Sequence, residues 1–191
     1  MTARTHAAAG ILAGEIAGAA MFGDGALLLP FLTVSTSLLG SLLPDIDYAG
    51  STVSGMNRQT GFVSSGLNAA FGHRGILHTP FAVFGFFLLL YILSSFAGVY
   101  RWPALFGLLT GMLSHLVLDT FNPSGIMWLF PASRRHFRLA RLRTGGMADR
   151  IFEKLFLTAA VVTAVILLQN RWKGGSVWQT IMIQTEQAVL I

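Results

Sequence analysis

PALFGLLTGMLSHLVLDTFNPSG, residues 103–125, is an apolar run of helical length that Ser114, His115 and Asp119 interrupt near its end. His115 and Asp119 are four residues apart, so both project from one face of a helix, one turn from each other. Asn122 and Pro123 then stop the helix just beyond the pair. Ionisable groups inside so apolar a segment are costly to bury and mark function by default. The plain structural alternative is a histidine and an aspartate satisfied by each other, or His115 satisfied by a neighbouring carbonyl.

Working outward, similar apolar stretches occupy about 7–22, 26–43, 79–99 and 154–169. A bilayer core needs ~20 helical residues, and 53% hydrophobic against 11% charged residues sets the chain apart from ordinary soluble domains. The fold class expected is all-α: a polytopic membrane helical bundle of about five transmembrane helices. No repeat, low-complexity tract or linker divides the chain, so residues 1–191 read as a single integral-membrane domain. The first segment carries Glu15 and shares the short charged start and Ala-rich body of a signal peptide. Absence of cysteine excludes disulfides and thiolate ligands and leaves imidazole and carboxylate as the strong metal ligands.

Basic residues in short loops are retained on the cytoplasmic side. Arg134, Arg135, Arg138, Arg141, Arg143 and Arg150 therefore set the orientation. With that loop inside and five alternating spans, Arg4, Arg58, Arg74 and Lys154 also fall inside, and Arg101, Arg171 and Lys173 fall outside. The expectation is a multi-pass protein of the bacterial inner (cytoplasmic) membrane, N-terminus inside and C-terminus outside. Retention, with attraction to the lipid surface, accounts for the net charge of +5. Arg134, Arg135 and Arg138 could also capture an anionic substrate, whereas no module for sequence-specific nucleic-acid binding is present.

Under this topology every candidate ligand arrives at the cytoplasmic face. Gly10, Gly14 and Gly18 form a bare stripe that lets a neighbouring helix come close, and His6, which begins the stripe, points into the bundle. LLPDIDY, residues 42–48, closes the second span at Pro44; in extended backbone Asp45 and Asp47 would face the same way. In FGHRGILHT, residues 71–79, His73 precedes a bend at Gly75 and His78 sits in the first turn of the third span, so that both could face one ion. Arg74 between them could grip a phosphate or carboxylate with its planar fork of donors, or anchor the span. Glu15 could be a buried structural acid, a partner for His6 or a proton acceptor. Residues 48–72 read as a loop that could act as a lid.

The candidate metal ligands are thus His6, Asp45, Asp47, His73, His78, His115 and Asp119. Asp47, Arg74 and His78 are the candidate catalytic groups. Imidazoles and carboxylates without thiolate suit a divalent metal, zinc first and manganese or iron next. Seven ligands exceed what one tetrahedral ion takes, so one or two ions are expected. A two-metal site acidifies a bound water and clamps the oxygens of a displacement at phosphorus or carbonyl, which makes hydrolysis the leading chemistry.

The ordered set of Thr5-His6 with Gly10, Leu43-Pro44-Asp45-Ile46-Asp47, Gly72-His73-Arg74-Gly75 with His78-Thr79, and Ser114-His115 with Asp119 resembles the YdjM-type family over nearly the whole chain. That family is described as inner-membrane-associated metal-dependent hydrolases. The resemblance implies a metal-dependent hydrolase domain and the same seven ligand positions. Members tend to carry a Glu just before the last span, where this chain has Asp149. A more distant likeness in site chemistry, to all-helical zinc phospholipases C and S1-type nucleases, directs the substrate expectation to a phospholipid or another lipid-linked phosphoester, with membrane lipids as partners. Two rival readings are a non-catalytic scaffold or regulator with a structural metal site, and a metal or proton transporter. A transporter would need polar residues through the full depth of its spans, which FGFFLLLYILSSF, residues 84–96, does not offer.

Overall fold

The computed structural model describes residues 1–23, 26–47 and 76–173. Among them are five α-helices: α1 (Ala3–Phe22), α2 (Leu28–Leu42), α3 (Pro80–Leu93), α4 (Arg101–Asp119) and α5 (Met147–Lys173). Short 3₁₀ turns occupy Pro44–Asp47, Ile76–His78 and Ser95–Tyr100. The described residues contain no β-strand, only an isolated antiparallel bridge between Ile126 and Phe137. All five apolar segments are helical, so the all-α class holds.

The helix lengths depart from five equal spans. Arg101–Asp119 and Met147–Arg171 are long and apolar enough to cross a membrane; α2 and α3, 15 and 14 residues, are apolar but shorter. Pro44 has no N–H to donate to the Gly40 carbonyl, which the Leu43 amide takes at 3.3 Å instead, and the α-helical ladder of α2 ends there. The segment expected to be helical over 79–99 ends at Leu93, and the 3₁₀ turn that follows is broken at Gly98, whose φ of 57° is open to glycine and costly for other residues. The last helix begins at Met147, earlier than the apolar run at 154, because Asp149 organises its first turn.

Helices α1, α2 and α4 form the centre, with α3 against α4 and α5 against α1. Small residues make this close approach possible. A Cβ on Gly10 would meet Ser41, one on Gly14 would meet Ser37 and Val34, and one on Gly18 would meet Pro30. Gly107 and Gly111 of α4 likewise face the α2 backbone at Thr33 and Ser37. The glycine stripe of α1 therefore meets α2, as small-residue stripes do in membrane bundles, and the Ser37 hydroxyl donates to the Gly10 carbonyl at 2.7 Å. By contrast α5 is nearly uncovered: 6% of its apolar stretch is buried, against 50% in α4.

Successive helices alternate in direction through the starts of α1, α3 and α5 and the ends of α2 and α4, which gather at one end of the bundle. Thr79 caps α3, accepting from the Ala82 amide at 3.2 Å while donating to the Ile76 carbonyl at 2.6 Å. Those two hydrogen bonds fix the turn carrying His78. Residues 120–146 then fold back over the end of α4: the Leu139 and Leu142 amides donate to the carbonyls of Thr120 and Phe121, both at 2.9 Å, and the Trp128 indole donates to the Thr120 hydroxyl at 2.9 Å.

Candidate metal centre

At that end, Asp45, His78, His115 and Asp119 each offer a ligand atom, and the four atoms lie within 4.8 Å of one another. His6 joins them from α1, its ring stacked on His115 with centroids 3.8 Å apart and 15° between planes. His6, His78, His115 and Asp119 are buried. Asp45 is the partly open member, its side chain 19% exposed. Five residues from four separate stretches of chain thus meet, all of them among the seven candidate ligands.

Orientation of the imidazoles shows what the cluster is built to hold. His115 Nδ1 lies 2.7 Å from the Ser41 carbonyl, so it is the protonated nitrogen and donates there. In the neutral ring Nε2 is then an acceptor. It has no hydrogen-bond partner, yet it faces Asp45 Oδ1 and Asp119 Oδ2, each at 3.7 Å. His78 Nε2 lies 3.4 Å from the same Asp45 oxygen. A lone pair converging with carboxylate oxygens is repulsive unless a cation sits among them or Nε2 itself takes a proton. Tetrahedral ligands ~2.0–2.1 Å from an ion lie about 3.3 Å apart, close to these separations. The donor set therefore fits a metal ion.

Supporting groups hold the carboxylates. Asn122, buried, donates its amide to Asp119 Oδ1, and the Met1 ammonium is 3.1 Å from the same oxygen. His6 Nε2 approaches that oxygen to 3.2 Å. Asp45 lies in the turn past the end of α2. Burial pushes its carboxyl up, but with the imidazoles protonated the His78 hydrogen bond and the charges of His115, His6 and His78 outweigh burial and hold it down at about 2.

Several sequence expectations change here. Asp45 and Asp47 do not lie in extended backbone. Pro44–Asp47 is a 3₁₀ turn, in which residues two apart face different ways; Asp45 reaches the cluster, and the Asp47 side chain lies outside the description. His78 sits in the 3₁₀ turn before α3 rather than in the helix. His73, Arg74 and the loop 48–72 lie outside the described residues. Asp149 is buried away from the cluster, accepting from the Thr5 hydroxyl at 2.6 Å, the Thr2 amide at 3.0 Å and the Gly145 amide at 2.7 Å. It ties the start of α5 to the start of α1. Glu15 lines a cavity of about 860 Å³ toward the other end of the bundle, with Ala19, Pro30, Val34, Leu167 and Arg171, and is no partner for His6. Ser41 and Asn122 were not foreseen as site residues: a backbone carbonyl leaves no mark in sequence, and Asn122 reads as a helix stop.

The family model described as YdjM inner membrane protein matches residues 1–185. The chain belongs to the YdjM family. This YdjM-family chain is 31% identical over 178 residues to inner membrane protein YdjM of Escherichia coli strain K12, covering 88% of the chain and 87% of that protein. The Shigella flexneri protein of the same name matches equally. The uncharacterized protein YvsG of Bacillus subtilis strain 168 is 30% identical over 151 residues, 79% of the chain and 86% of the relative. No solved structure matches. Family membership supports a location in the bacterial inner membrane; the relatives' names state no activity.

Proposed function

We propose that this YdjM-family chain is a membrane-embedded metal-dependent hydrolase acting on a phosphoester, phospholipid or lipid-linked, at the cytoplasmic membrane surface. The observation that carries the reading is the convergence of the His115 lone pair with Asp45, His78 and Asp119. These four would hold the ion, zinc by donor type with manganese or iron as the other candidates. Four donors gathered at one point fit a single ion. A second would draw on His6, with Asp47 and His73. When bound, the ion would supply Lewis acidity for a phosphoryl oxygen and an acidified water.

The remaining roles fall to the chain itself. Ser41 fixes the His115 tautomer and Asn122 fixes the Asp119 carboxylate, so both ligands are oriented before an ion arrives. Asp45, the partly exposed ligand, marks the side from which a substrate can approach. Asp47, Arg74 and His78 keep their proposed catalytic roles, Arg74 as the phosphate grip. In this topology five segments cross the membrane, with the N-terminus and the site cytoplasmic and the C-terminus outside. The short α2 and α3 are accommodated by local thinning of the bilayer. A second reading, a structural metal site in a scaffold, is favoured by the near-complete burial of four of the five cluster residues.

Metal analysis separates these readings. The full chain, purified in detergent, should carry about one equivalent of a divalent ion, lost in His115→Ala and Asp45→Ala while gel filtration is unchanged. Loaded protein that also hydrolyses lipid phosphoesters, with both variants inactive, supports the enzyme. Loaded protein inert across a phosphoester panel moves the reading to the scaffold. No metal after reloading with zinc, manganese and iron rejects both.

A further inference from the structure

Residues 120–148 contain five arginines and no acidic residue. Arg134, Arg135, Arg138, Arg141 and Arg143 are all exposed. So are Leu129, Phe137, Leu139 and Met147, with Leu139 at 75% and Met147 at 82%. Retention of positive charge explains the arginines but not the large apolar side chains displayed between them at Phe137 and Leu139 and on either side at Leu129 and Met147. Nor is the segment loosely attached. The Ile126–Phe137 bridge closes it on itself, and the amides of Leu139 and Leu142 and the Trp128 indole pin it to Thr120 and Phe121 at the end of α4. Within it, Arg135, His136, Phe137 and Arg138 surround a polar hollow of about 440 Å³. Arg138 donates to the Pro123 carbonyl at 3.4 Å and His136 Nδ1 lies 3.1 Å from the Ser124 carbonyl, which hold that rim in place.

We propose that residues 120–146 form a docking surface for anionic phospholipid headgroups, laid beside the metal centre. Three observations select this occupant. An all-basic surface complements anionic headgroups. Exposed Phe137 and Leu139 between cations, with Leu129 before them, match the make-up of surfaces that rest in the interface between headgroups and acyl chains. The segment also runs directly into α5, whose apolar stretch is almost wholly uncovered and must be covered by lipid. The inference rests on the membrane-embedded part of the proposed function and not on catalysis. It supplies the headgroup class a lipid substrate would bring: an anionic phospholipid held by Arg135 and Arg138, on the segment that follows Asp119 and carries Asn122.

The test uses the full chain, delipidated in a neutral detergent and offered phosphatidylglycerol or phosphatidylcholine, with retained lipids counted by native mass spectrometry. Wild type should prefer phosphatidylglycerol by about tenfold or more, and Arg135→Gln/Arg138→Gln/Arg141→Gln should lower that preference to about twofold or less. The corresponding triple lysine variant should keep it, which separates charge from fold, as should unchanged circular dichroism. Equal retention of the two lipids by wild type, or an undiminished preference in the glutamine variant, overturns the proposal. Displacement of phosphatidylglycerol by millimolar inorganic phosphate assigns the hollow to a soluble anion and overturns it too. Asp45→Asn should retain the lipid preference, so failure of the metal reading leaves this one standing. Recovery of wild type from the soluble fraction without detergent would instead reject the membrane reading beneath both.

Discussion

Asn122 is the clearest case of a residue whose role appears only in three dimensions. Its buried amide donates to the Asp119 carboxylate, and a group that orients a ligand without being one tunes affinity rather than stoichiometry. Asn122→Ala should weaken metal binding by about 10–100-fold in a chelator-competition titration while a saturating ion still binds at wild-type stoichiometry. His115→Ala, in contrast, should abolish binding. At this scale the site was legible in part. His6, Asp45, His78, His115 and Asp119 stand out because imidazoles and carboxylates near the ends of apolar runs have few structural uses. The Ser41 carbonyl is invisible, since every residue has one, and the extended backbone expected at Asp45–Asp47 fails because Pro44 starts a 3₁₀ turn instead.

Among the helices, the close crossing of α2 and α4 positions His115 against Ser41, and glycine makes it possible. A Cβ at Gly111 would strike the Ser37 carbonyl and crowd the Ser41 amide. Gly111→Val should cost about 1–3 kcal/mol by overpacking, read as a lower thermal midpoint in detergent, and should weaken metal binding as well. Gly85→Ala in α3, where nothing lies within 4 Å, is the control and should gain up to about 1 kcal/mol of helix propensity. The Asp149 tie between α1 and α5 gives a different outcome. Asp149→Ala removes three hydrogen bonds to a buried carboxylate and should cost about 1.5–3 kcal/mol, while the ion stays at full occupancy because Asp149 lies outside the cluster. Helix existence was readable from the apolar runs, since each run became a helix. Helix ends were not, because Pro44, the break at Gly98 and the Asp149 turn override composition at the margins.

The whole molecule is a bundle in which alternate helix ends collect at one pole, and the proposed orientation puts that pole in the cytoplasm. Because the chain has no cysteine, single cysteines report sidedness without background. In intact cells a membrane-impermeant maleimide should label Ser176→Cys and spare Ala132→Cys until the membrane is opened; the reverse pattern would invert the orientation. The order in which the ligands occur along the chain has its own consequence. His6 leaves the ribosome first and Asp119 far later, after four of the five helices have been made. On the proposed metal reading no product that stops short of Asp119 can close the coordination sphere, so metal capture would wait until the fourth helix is in place. Chains cut short before Asp119 would therefore be distinguishable from longer ones by what they cannot hold, and loading of the proposed site would mark the arrival of the fourth helix.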